Sequence, residues 1–239
     1  MNSQLKNIVL PLLATALLLG GTISCNIDQR EDVKITNIQY FNIKPKSILE
    51  SISQGKEDAF ISVDTEPELA SSSKDEPVAW NQTDYLQIAE ALHKLVWGES
   101  LGTWNLYRMV FSSGCDQVDI GFQSGQLVFF KVINLNGQET RIGHFIEIDP
   151  SRSFAQAMET EYYPDLEDWK AIDLAKVKIS ASEALQIAEK NGGYEKRTAV
   201  KNVCSISAGI SRDTVVYDGW LVIYSPSVFI DKIDPVTGK

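Results

Sequence analysis

Metal or nucleophilic chemistry in these 239 residues would be sought first at five side chains: His93, His144, Cys25, Cys115 and Cys204. Their spacing argues against it. The histidines are not in the H-E-x-x-H arrangement that sets two imidazoles on one helical face, and no two cysteines have C-x-x-C spacing. No zinc site is expected. Gly121-Phe122-Gln123-Ser124-Gly125 holds its serine one place away from a G-x-S-x-G nucleophile elbow and reads as a hairpin turn. The acidic stretch ETEYYPDLED at 159–168 lacks the alternating oxygens and the glycine of a calcium loop. Phosphate-binding glycine loops are also missing. The sequence therefore predicts no catalytic residue, no metal and no cofactor, and His93 reads as a surface or boundary residue of a helix. Cys115 and Cys204 leave two readings open: a disulfide, permitted in an oxidising compartment, or two separate half-buried thiols.

Cys25 stands apart. One positive charge, Lys6, precedes an apolar run from Ile8 to Leu19, and Gly20-Gly21-Thr22-Ile23-Ser24 leads to the cysteine. A run of about a dozen apolar residues is too short to cross ~30 Å of hydrocarbon and reads as a signal peptide. The small residues before Cys25 resemble the lipobox of bacterial lipoproteins, where the cysteine thiol receives a diacylglycerol and the chain is cut before it. Thr22 stands where leucine is usual in that motif, and Thr22 with Ser24 also meets the small-x-small rule of an ordinary signal peptide. The expectation is a signal peptide at 1–24, a lipid on Cys25, and export to the outer side of a bacterial membrane. Cleavage removes Lys6 and no acid, so the formal charge goes from −10 to −11. Such a surface repels nucleic acid and anionic headgroups. Membrane contact is expected through the lipid, and no nucleic-acid partner is expected.

The elements that would carry these residues come in a repeated order. LQIAE occurs at Leu86–Glu90 and again at Leu185–Glu189, and Ile-Asp-Pro follows each time, at Ile148 and at Ile233. In the first copy Tyr85, Ile88, Ala89, Leu92, Leu95 and Val96 keep helical spacing, with Asn81 as N-cap and Gly98 as the stop. Strand-like runs follow at Trp104–Phe111, Gln117–Gln123, Leu127–Ile133 and Arg141–Ile148. In the second copy Ser180 and Glu183 form a capping box, Gly192-Gly193 ends the helix, and strands are expected over Thr198–Ala208, Val215–Tyr224 and Val228–Ile233. The predicted fold class is α+β: two tandem units, each one helix on a three- to four-stranded antiparallel sheet, behind a flexible N-terminal stalk. The boundaries are 1–24 signal peptide, 25–77 lipid-anchored acidic stalk, 78–150 first unit, 151–178 connector and 179–239 second unit. The stalk follows from the acidic, serine-rich composition of 54–76, which has too little apolar surface to offset its ordering entropy, while the alternating stretch DVKITNIQYFNIKP at 32–45 reads as a strand or a partly ordered arm. In the connector, Tyr162, Tyr163 and Trp169 are expected to pack on a sheet. Phe129 and Phe130 are neighbours and must point to opposite faces of their strand, one of them core and the other either an exposed binding aromatic or buried between two sheets.

The segments ISASEALQIAEKNGG at 179–193, GWLVIYS at 219–225 and IDPVTGK at 233–239 resemble a PepSY domain, and residues 80–150 are a looser relative. PepSY domains occur in propeptides of secreted metallopeptidases and in envelope proteins. The resemblance implies a non-catalytic module that restrains a peptidase or binds peptides outside the cytoplasm. No metallopeptidase domain follows the second unit in this sequence, so a free-standing binding or regulatory role is expected. The alternative is a structural or assembly lipoprotein of the envelope with no inhibitory activity. A conspicuous open edge strand would favour peptide binding, and edges covered by the connector would favour the structural alternative.

Overall fold

Nine segments in which apolar residues alternate with polar ones form strands: β1 (Ile35–Ile43), β2 (Phe60–Val63), β3 (Asn105–Gly114), β4 (Ser124–Leu135), β5 (Gln138–Asp149), β6 (Phe154–Thr160), β7 (Ser205–Ser211), β8 (Trp220–Ser225) and β9 (Phe229–Ile233). They were located in a computed structural model, which describes residues 35–56, 59–66, 78–160, 169–211, 219–226 and 229–239. Every pairing is antiparallel, in one sheet of order β2-β1-β6-β5-β4-β3-β7-β8-β9.

That order corrects the expectation of two tandem units, each one helix on its own small sheet. β3 and β7, the first strands of the two expected units, pair with each other from Arg108↔Ser211 to Gly114↔Ser205. Two short sheets would each leave an edge of unpaired amides at this point, and joining them removes both edges. The stalk is corrected as well. Residues 35–63 contribute β1, a short helix α1 (Ile48–Ser53) and β2, and β1 pairs with β6 from Asn37↔Glu159 to Asn42↔Phe154. Phe41, Ile43, Ile48 and Phe60 are buried there; of these four anchors only Phe60 lies in the acidic stretch 54–76. The connector likewise holds β6, inserted between β5 and β1. Tyr162, Tyr163 and Cys25 lie outside the described residues.

One face of the sheet is covered by helices. α2 (Gln82–Trp97) lies over β5 and β6, and α3 (Ala181–Ala188) over β7, β8 and β9. Asn81 accepts the amides of Thr83 and Asp84 while Asp84 takes the Asn81 amide, and Gly98 closes α2 at φ 71°. Ser180 and Glu183 start α3 in the same reciprocal way. Each such cap is worth about 1 kcal/mol. The helix carrying the second LQIAE breaks at the glycine pair, as expected: Gly192 takes a left-handed φ of 118°, and across that kink a second short helix follows, α4 (Tyr194–Ala199). Gly193 has ordinary helical angles and is glycine because the Tyr224 ring occupies the place of a Cβ. The expected strand at 198–208 therefore begins only at Ser205, and the one expected at 117–123 is a series of turns.

The repeated pentapeptide marks a two-fold arrangement within the single sheet. Val110 faces Gly209 across the β3/β7 pairing, and Gln82 Oε1 accepts the Ala181 amide at 3.1 Å. Members of both pairs are 99 positions apart, as are the two LQIAE copies. Equivalent residues that meet one another mark a two-fold axis. Outward from that axis the strands run β3-β4-β5 on one side and β7-β8-β9 on the other.

Phe129 and Phe130 do point to opposite faces, and both are buried. Phe129 meets the helix layer. Phe130 lies under Trp169, which stacks on Tyr107 at 4.3 Å and meets Phe130 and Phe145 edge-on, so no exposed binding aromatic remains at this pair. Close approach on the helix side is set at Gly125, where a Cβ would sit 2.6 Å from the ring of buried Tyr85. Tyr85 is anchored by its hydroxyl, which donates to the Phe122 carbonyl at 3.0 Å, so it cannot swing aside. Gly125→Ala is expected to lower the unfolding free energy by about 1–3 kcal/mol, the usual range for overpacking a core. Urea denaturation measures it, and a shift under about 0.5 kcal/mol would show that the α2–β4 contact yields freely.

Candidate functional site

β9 closes one end of the sheet, and among the described residues no strand pairs with its outer side. Ile230 is 58% exposed on it. The strand ends at Asp234, whose Oδ1 accepts the amides of Val236 and Thr237 and the Thr237 hydroxyl at 3.0, 2.7 and 2.9 Å. Those bonds hold its carboxyl below the usual carboxylate range. The Asp234 amide donates to the Lys239 carbonyl and the Asp234 carbonyl accepts from Gly238, so both backbone groups turn toward the turn and away from β8. Alternate residues of a strand present their N–H and C=O to the same side, which assigns Ile230 and Lys232 to the outer edge. A guard sits on it. Asp231 Oδ1 accepts the Lys232 amide at 3.0 Å and Oδ2 accepts the Asn191 side-chain amide at 2.8 Å, a carboxylate folded over an edge amide.

The paired cysteine positions lie at the middle of the sheet. Cys115 follows β3 and Cys204 precedes β7, and a disulfide joins them with Cα atoms 5.2 Å apart. The Cys115 amide donates to the Cys204 carbonyl at 2.9 Å, so bond and bridge together close one end of the β3/β7 pairing. Arg197 lies against it, donating to the Cys115 carbonyl and bound to Glu189 at 2.8 Å, and Glu189 takes the Tyr224 hydroxyl at 2.6 Å. Burial and the Glu189 carboxylate push Tyr224 up, so it remains a neutral donor.

The two histidines, spaced like no known site in the sequence, are brought together. Nε2 of His93 and Nδ1 of His144 are 2.9 Å apart, and both residues are buried. His93 Nδ1 lies 2.8 Å from the Glu99 carbonyl and His144 Nε2 lies 3.2 Å from Glu159 Oε2, which also accepts from the Trp97 indole at 3.1 Å. Trp97 and Trp104 stack on His144 at 3.8 and 3.9 Å. Three contacts need three protons and two neutral imidazoles supply two. A carbonyl can only accept, so His93 carries its proton on Nδ1 and offers Nε2 as an acceptor. A neutral His144 then has one proton for two acceptors, His93 Nε2 and the Glu159 carboxylate. Burial, then the neighbouring imidazole, holds His144 down to about 3, and burial also lowers His93.

Reading His93 as a surface residue missed this pair. The signal was present: His93 follows Ala89 by four, on the buried stripe of α2, and His144 alternates with Ile146 and Ile148, on the helix side of β5. Among the described residues no group of three His, Cys, Asp or Glu is placed to hold a metal ion. No protein-family model, curated protein or solved structure matches this chain.

Proposed function

We propose that this chain is a non-catalytic binding or regulatory module of the bacterial cell envelope, exported and held by lipid on Cys25, which restrains a peptidase or binds peptides by strand addition at β9. The PepSY-like segments at 179–193, 219–225 and 233–239 support the module, and the small residues before Cys25 support the anchor. The observation that carries the binding mode is the position of β9 at the end of the sheet, with Ile230 exposed. Strand addition draws its affinity from main-chain hydrogen bonds along such an edge and its selectivity from alternate side chains.

The structural alternative has one observation of its own. β6, which comes from the connector, covers the outer side of β5, so one of the two corresponding edges is already filled. Proteolysis by the peptidases of the envelope, measured with and without the purified full chain, separates the two. The expected result is slowed proteolysis that an Ile230→Pro variant no longer produces. Unchanged proteolysis, with only assembly components cross-linked to the chain, would replace the regulatory reading by the structural one. For the anchor, radiolabelled palmitate is expected to enter the wild type, and a Cys25→Ser variant that still incorporated label would overturn it.

A further inference from the structure

The two-fold arrangement specifies what the β9 edge accepts, an inference that rests on the edge-binding reading above. β4 and β8 are equivalent, since Gly125↔Ile148 and Leu127↔Ile146 on one side correspond to Trp220↔Ile233 and Val222↔Asp231 on the other. β5 therefore corresponds to β9, with the shared Ile-Asp-Pro turn at the end of each. After its turn the first half adds β6 to the outer side of β5, from Asp149↔Phe154 to His144↔Glu159. β9 has the same outer side and no strand there among the described residues.

The side chains of β6 show what fits beside such an edge. Ala155 and Ala157, opposite Ile148 and Ile146, face the helix layer and are fully buried, so larger groups would meet the helices. Gln156 and Met158, opposite Glu147 and Phe145, lie on the other face, where Gln156 donates to Glu147 at 2.6 Å. On β9 the corresponding neighbours are Ile233 and Asp231 toward the helices, and Lys232 and the exposed Ile230 on the other face.

We infer that the outer edge of β9 takes one extended segment of another chain, antiparallel to it, with small residues opposite Ile233 and Asp231, a polar residue opposite Lys232 and an apolar residue opposite Ile230. The segment makes the backbone bonds that β6 makes to β5, and its apolar residue covers Ile230. To reach the Lys232 amide it displaces the Asp231 carboxylate, so the edge is guarded against casual pairing and opens to a strand that offers a full ladder.

The probe is a synthetic peptide of the sequence Phe154–Thr160, with a control peptide of the same composition in which the small and large residues exchange phase. Amide hydrogen exchange of the full chain is followed with each peptide. The expected result is slowed exchange at the Ile230 and Lys232 amides with the first peptide only. Affinity should fall at least tenfold in Ile230→Pro, where a proline sits on an edge position that tolerates it, and rise about tenfold in Asp231→Ala, where the guard is gone. A thermal melt checks that both variants fold, and the exchange pattern of the wild type decides even where one does not. Equal protection by both peptides would overturn the inferred pattern and leave edge binding standing. Protection by neither would overturn both.

Discussion

Replacing Cys115 and Cys204 together by alanine is expected to lower the unfolding free energy by about 4 kcal/mol. The bridge spans 89 positions, and chain-entropy arguments put a loop of that length between about 3 and 4.7 kcal/mol. Its location raises the consequence above that of a surface staple. It closes the end of the β3/β7 pairing, on which the continuity of the sheet depends. Without it the unfolded chain gains freedom, while the folded state keeps the seven-residue ladder between Arg108 and Gly114. Urea denaturation of the double variant, and of the wild type with and without a reductant, should give the same displacement. A midpoint that ignores reductant would show that the ladder holds the two halves unaided. The same dependence ties the fold to an oxidising compartment, in keeping with the proposed export.

Acid is expected to destabilise the protein through the histidine pair, by about 3 kcal/mol between pH 7 and pH 4.5. The direction follows from proton binding. In the unfolded chain a histidine takes its proton near pH 6.5, whereas burial keeps His144 neutral in the folded chain until about 3. Between those values the unfolded state binds more protons, so stability is complete above pH 6.5 and declines as pH falls toward 3. Each pH unit in that window is worth about 1.4 kcal/mol per histidine, and two units of it lie above pH 4.5. The groups that face the pair are Glu90 and Glu99 from the α2 side, Lys131 from β4 and Glu159 from β6, and Glu99 and Lys131 act on both rings with opposite signs. Denaturation curves at pH 7 and 4.5 should show a shallower dependence in His144→Phe, which keeps a ring between the two indoles and cannot titrate. His93→Ala should cost about 3 kcal/mol at pH 7, since it empties core volume and leaves buried His144 Nδ1 without its partner. A wild type as stable at pH 4.5 as at 7, or a variant with the same slope, would show that the pair does not hold its neutral state.

Much of the local structure was legible before any coordinates. Asn81, Gly98, Ser180 and Glu183 announced helix ends because caps are made within a few residues of one another, and those bonds are present. Alternation marked β4, β5, β8 and β9 for the same reason. The glycine pair at 192–193 marked the break, with Gly192 at φ 118°, but not the helix α4 beyond it, nor that Gly193 makes room for Tyr224, more than thirty positions away. β1 showed as an alternating stretch, but β2 and β6 were hidden by composition: a short strand with one or two buried anchors, such as Phe60 or Phe154, is lost in a polar, acidic average.

The candidate sites divide along the same line. Short-range chemistry, meaning the signal-like N-terminus, the capped helices, the Ile-Asp-Pro turns and the duplication itself, was written in neighbouring residues and in a repeat that needs no fold to be seen. How the two copies met was not. One sheet or two depends on whether β3 pairs with β7, a contact between segments nearly a hundred positions apart whose backbone hydrogen bonds carry no sequence identity. The cysteine bridge follows from that pairing and the side of β9 without a strand among the described residues from the strand order it sets, while the histidine pair follows from the packing of α2 on β5. Each is a relation between distant residues, which only packing brings within hydrogen-bonding distance.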